Sequence, residues 1–356
     1  MSHLSLSFQA APPPAPNASR YHSAAPLGPL PFRSRFFCAV AACACALPLE
    51  FARRAGLDAA WIFLGSILLF GLAHGACDLW LPGWVEGRRG PAGFLLAFGS
   101  VYLGLALLVC LLWWWSPLVA TVGFLPLTAW HWGSADAVLT PLRSWRGELL
   151  AWGRGFLVLS APAAFHPAGT WQVLHALSPD LFARVSAGSL RTGAGVILGL
   201  SLTAQVLAFA GCGRREDRRG HHLETCFLLA LFFALEPLVT TALYFVWFHA
   251  WRHIGRLCRW QSPDEATTTS VCLWRFHRAA LPCAVGALAL LWTVARVWPG
   301  DLLRAYLVLL SAVTLPHALL VLWLDRVEAR RRPAEPSPGL TMNRWWTADE
   351  TPVGRP

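Results

Sequence analysis

LETCFLLALFFALEPLVTTALYFVWFHAW (223–251) is apolar almost from end to end. Its length lets it cross a bilayer with tilt, or kink where Glu236 meets Pro237. The run carries His249 near its end, and His253 follows four residues later in HAWRH. Two more histidines lie in similar surroundings, His74 in GLAHGACDLW and His131 in TAWHWGSAD. A charged side chain at bilayer depth costs roughly 2.5–3.5 kcal/mol on insertion scales. A neutral imidazole costs less, yet its two ring nitrogens still need partners. These segments read as parts of one site, most simply a metal held between helices.

The 356 residues are 56% hydrophobic and 13% charged. Globular domains carry roughly 25% charge, so a soluble multidomain protein is excluded. The expected fold is all-α, a polytopic transmembrane helical bundle of about eight spans. The runs are 59–81, 91–115, 118–139, 193–211, 223–251, 279–298 and 302–324, with 149–165 weaker. The first run, 36–51, is short for a span and holds Pro48. Residues 166–191 read as a loop with room for an interfacial helix. Residues 1–34 read as a flexible Pro/Ala-rich tail, 35–327 as a transmembrane catalytic domain, and 328–356 as a flexible C-terminal tail.

The net charge of +10 comes from arginine, with no lysine in the chain. Arg214-Arg215, Arg218-Arg219, Arg252, Arg256, Arg259 and Arg330-Arg331-Arg332 collect between spans. Such loops face anionic headgroups, which makes the lipid bilayer the partner and the cell membrane the location of a multi-pass protein. No nucleic-acid motif accompanies the basic segments, so nucleic acid is not an expected partner. Basic segments on both sides of 223–251 conflict under the positive-inside rule and leave topology open. The ten cysteines include no CxxC pair and read as small buried hydrophobes.

Spacing i, i+4 puts His249 and His253 on one face of an α-helix. Such a pair can ligate one metal, or simply bond its neighbours. His74 and Asp78 share the same spacing, so the carboxylate can fix the ring's tautomer, and Asp136 stands five residues after His131 to act less directly. A buried His–Asp hydrogen bond bracing two spans is the other reading. His317, after Pro316, shares a helix face with Asp325 and reads as support for the ligands rather than as a ligand, with a capping or interfacial role as the other reading. His166, His175, His221 and His222 read as loop residues. Imidazoles suit Fe, Cu, Zn or Ni rather than Mg or Ca, and four of them leave an octahedral iron open to dioxygen. Tyr244, Phe245, Trp247, Trp130 and Trp132 flank the histidines and suit a long apolar substrate, or ordinary helix packing.

With HGACD (74–78), HWGSAD (131–136), ALYFVWFHAWRH (242–253) and PH (316–317) in hand, the chain resembles the Brp/Blh family of membrane β-carotene 15,15′-dioxygenases from about residue 60 to 325. The resemblance implies Fe(II) held by His74, His131, His249 and His253. It also implies cleavage of the central double bond of β-carotene by O2, giving two retinals, the chromophore of a microbial rhodopsin. Tyr244, Trp247, Trp130 and Trp132 are then the expected substrate wall, with Asp78, Asp136 and His317 behind the ligands. Leu79, Trp132, Phe248, Ala250 and Glu236 depart from the family's usual residues. A di-iron desaturase or hydroxylase would use HxxHH boxes, which this chain lacks. A transporter or haem protein with intramembrane histidines is the non-enzymatic alternative.

Overall fold

The bundle is described by a computed structural model over residues 34–66, 70–86, 92–137, 145–210, 215–261, 268–297 and 302–331. Among these residues there is no strand. Helices follow one another as α1 Arg35–Arg54, α2 Ala59–Ser66, α3 Leu72–Ala76, α4 Leu81–Glu86, α5 Ala92–Trp115, α6 Pro117–Ala137 and α7 Trp145–Phe165. The rest are α8 Pro167–Leu177, α9 Pro179–Phe182, α10 Ala187–Phe209, α11 Arg215–Ala234, α12 Pro237–Tyr244, α13 Trp251–Gln261, α14 Thr269–Val297 and α15 Leu302–Arg331.

Among the described residues five helices are long and apolar enough to cross a membrane: Arg35–Arg54, Gly93–Trp115, Ala187–Phe209, Thr269–Thr293 and Leu302–Glu328. Their environments differ. The apolar window of α5 is 0% buried, and it turns Leu103, Leu107, Leu111 and Trp114 outward. That of α15 is 67% buried, the most of the five. Outward leucines and an inward polar set, including His74, Asp78, His131, Asp136, Arg154 and Glu224, are the pattern of a protein dissolved in lipid.

Several expected boundaries move. The 36–51 run belongs to a helix of 20 residues that tolerates Pro48. The 59–81 run is not one helix: α2, α3 and a 3₁₀ turn at Cys77–Leu79 divide it. Residues 166–191 are mostly helical, because Pro167 and Pro179 each open a helix at the position where a missing N–H costs nothing. In the 223–251 run α11 ends before Glu236, whose carboxylate accepts from the Leu238 and Val239 amides and caps α12. The last helix runs on to Arg331 and so crosses the expected tail boundary at 328. The N-terminal stretch 1–33 and residues 332–356 lie outside the described residues.

α6 and α7 meet with almost no space between backbones. A Cβ on Gly133 would lie 1.8 Å from the Ala151 carbonyl oxygen, and one on Gly155 would lie 1.7 Å from that of Ala129. Only glycine permits this approach, as in small-residue packing between membrane helices. It holds the His131 helix directly against the Arg154 helix.

Candidate metal centre

Five histidines, not four, come together. His74 sits on α3, His131 on α6 and His317 on α15. His249 lies in a π-helical turn, Phe245–Ala250, that links α12 to α13, and His253 sits in the first turn of α13. The π turn replaces the plain α-helix expected under HxxxH; such turns recur at functional sites because they re-aim side chains. All five rings are buried.

His317 is central. Its ring centre lies 5.0 Å from that of His74, 4.9 Å from His131 and 5.4 Å from His253. His74 lies 5.5 Å from both His249 and His253, and His131 lies 5.0 Å from His249. Ring nitrogens within this cluster lack partners: His131 Nδ1, both nitrogens of His249, His253 Nε2 and His317 Nε2 are buried and unbonded. His74 differs, turning Nδ1 to the Phe70 carbonyl at 3.2 Å. A buried polar group without a partner costs on the order of 1–3 kcal/mol, so several together call for an occupant.

A transition metal fits the donors. With a metal–nitrogen bond of about 2.1 Å, ring centres on one ion lie about 4.5 Å apart at a right angle and about 5.5 Å apart at 120°. The neighbouring pairs span 4.9 to 5.5 Å. Among the described residues no three His, Cys, Asp or Glu side chains already aim their donor atoms at one ion. What suits an ion is the ring spacing and the donor type.

The two aspartates go separate ways. Asp78 does not serve His74, because the 3₁₀ turn carries it aside. Its Oδ2 instead accepts from His317 Nδ1 at 2.8 Å and from the Tyr102 hydroxyl at 3.0 Å. Asp136 does not serve His131 either. Its oxygens accept from Arg154 Nε and Arg252 Nη1, each at 2.8 Å, and from the Tyr244 hydroxyl at 3.3 Å. Glu224 joins this lattice, pairing with Arg154, with Arg252 Nη2 at 2.7 Å and with Arg35 at 3.2 Å. Four helices and the N-terminal α1 are thus tied by buried charge.

Aromatic placement also sorts itself. Trp132 and Phe245 wall the cluster: Trp132 lies 5.9 Å from His249, and Phe245 lies 5.5 Å from His249 and 5.7 Å from His74. Tyr244 is fully buried, stacked on Phe248 and bonded to Asp136. Trp247 packs against Phe37, Phe70 and Trp251, and Trp130 donates to Glu148 at 3.3 Å.

Several residues gain roles that sequence reading did not give them. Arg252 and Arg256, read as headgroup-facing, are buried, with Arg256 paired to Asp325 at 2.5 Å and Glu328 at 3.1 Å. That pairing also takes Asp325 away from His317. His221, read as a loop residue, is buried on α11 and bonded to Gln205 at 2.9 Å. A lone arginine between two glycines in an apolar run, as at 153–155, was the available signal for Arg154. For Tyr102 the signal was a single phenol in the otherwise apolar α5.

Fold and site together define a class, a helical membrane bundle with an imidazole cluster at its heart. The chain matches the β-carotene 15,15′-dioxygenase family over residues 65–325, which includes all five histidines, and it belongs to that family of oxygenase enzymes. It is 30% identical to a probable β-carotene 15,15′-dioxygenase, Blh, of Halobacterium salinarum, with 74% of this chain and 84% of that protein aligned. No solved structure matches the chain.

Proposed function

We propose that the protein cleaves β-carotene at its central 15,15′ double bond with O2, giving two molecules of retinal, at one Fe(II) held by His74, His131, His249 and His253 in the cell membrane. The observation that carries this reading is the packing of these buried imidazoles, three of them with unbonded nitrogens, inside the region matched by the family. Iron, when bound, supplies the redox-active ion that binds and activates dioxygen.

The chain's own residues do the rest. Neutral imidazoles add no charge, so the ion keeps its full attraction for a reduced oxygen species. Trp132 and Phe245, beside His249, give a polyene with almost no polar handle flat apolar faces to lie against. Tyr244 contributes from behind by holding Asp136, and Trp247 and Trp130 brace the surrounding helices. The Asp136–Arg154–Glu224–Arg252 lattice fixes α6 and α13, and with them His131 and His253, in relative position. Retinal released into the bilayer is a chromophore for a microbial rhodopsin.

Chromatography of carotenoid extracts from β-carotene-producing cells that express the protein tests this. Wild type is expected to yield retinal, and alanine at any of the four histidines to lower the yield at least about 100-fold, beyond the roughly 10–100-fold usual for outer-shell losses. Undiminished retinal from one of these variants would remove that histidine from the ligand set.

A further inference from the structure

We propose that His317 is itself a metal ligand of this centre, aimed by Asp78 and Tyr102; the inference rests on the metal reading above. Three observations converge on it. Its ring has close neighbours on three sides, at 4.9 Å from His131, 5.0 Å from His74 and 5.4 Å from His253. His74 also has three histidine ring neighbours, at 5.0, 5.5 and 5.5 Å, so the two rings together form the middle of the cluster. Its Nδ1 donates to Asp78 Oδ2 at 2.8 Å, which leaves the lone pair on Nε2. That Nε2 is buried and has no partner.

A carboxylate on one ring nitrogen and a free lone pair on the other is how a metal-bound histidine is usually held. Of the five histidines, His317 is the one that shows this arrangement. Asp78 is in turn fixed: its Oδ2 also accepts from the Tyr102 hydroxyl, which reaches the Val313 carbonyl at 3.4 Å one turn before His317. Charge makes the same point. Asp136 and Glu224 are buried against guanidinium groups, whereas Asp78 is buried against an imidazole and a phenol, with Oδ1 unbonded. A cation on the far nitrogen of His317 would supply the missing positive charge one ring away.

An octahedral ion held by five imidazoles keeps one position open, where four would leave two. His317 therefore sets how many outside ligands the centre takes at once.

Purified full-length protein in detergent, titrated with Co(II) as the probe, tests this through affinity and visible absorption rather than turnover. H317A is expected to bind Co(II) at least ten-fold more weakly and to show stronger, shifted bands of a lower-coordinate ion. Added imidazole is expected to restore the wild-type bands. D78N, which keeps the ring, is expected to weaken binding about 10–100-fold without a change in thermal midpoint. Wild-type affinity and bands in H317A would overturn the proposal. So would weakened binding with unshifted bands that imidazole does not restore, which is the mark of a brace between helices. Should H317A fail to fold, unchanged affinity and bands in folded D78N would overturn it equally. A wild-type protein that takes up no Co(II) would bring down the metal reading itself, a result distinct from either.

Discussion

Asp78 and Asp136 look alike in the sequence, each a few residues after a histidine in an apolar run, and the fold gives them different work. Asp78 holds His317, whereas Asp136 neutralises Arg154 and Arg252. Their amides should therefore fail differently. D136N leaves two buried guanidinium groups short of a counter-charge, and breaking a buried pair costs about 3–5 kcal/mol. A large fall in thermal midpoint is the expected outcome by calorimetry or fluorescence. D78N should leave that midpoint nearly in place while iron content after chelator dialysis falls. Equal midpoints in both variants would contradict this division. The histidines themselves were legible because an imidazole in apolar sequence is conspicuous. Their partners were not, because i, i+4 spacing predicts contact only along a continuous α-helix, and the 3₁₀ turn at Cys77–Leu79 interrupts it. His317 stood too far along the chain for any spacing rule to reach the other four.

Elements were legible where apolar length dominates, as in α5 and α15, and less so where polar residues turn inward. Arg252, Arg256 and His221 resemble loop residues by composition, yet each is buried on a helix with a partner from a distant segment. Such pairings depend on tertiary proximity, which periodicity does not encode. The α6–α7 contact belongs to the same scale. Because a methyl group at Gly155 would overlap the Ala129 carbonyl, G155A must force the helices apart. Overpacking alone costs about 1–3 kcal/mol, and separation also strains the Arg154–Asp136 pair. Expression of G155A should give aggregated or strongly destabilised protein by size-exclusion chromatography. By contrast G193A on α10, with open space around its Cβ, should behave as wild type. A monodisperse, fully stable G155A would show that the close approach is not required.

Among the described residues large apolar side chains face outward, while five histidines and a set of ion pairs are gathered within an otherwise apolar interior. That arrangement suits a substrate that arrives from lipid rather than from water, and the family to which the chain belongs is named for such a substrate. About eight spans were expected, and among the described residues five helices meet the length and apolarity required. Four of the expected runs are among the five, and Arg35–Arg54 joins them; 59–81 and 223–251 are divided into shorter helices, whereas α6 and α7 are continuous but less apolar. The most direct measurement is product analysis by purified protein in lipid nanodiscs, with β-carotene, O2 and either Fe(II) or an iron chelator. Retinal as the sole cleavage product, two per carotene consumed, lost with chelator and restored by Fe(II), is the expected result. Cleavage that ignores the chelator, or fragments of unequal length, would contradict a histidine-held iron acting on the central bond.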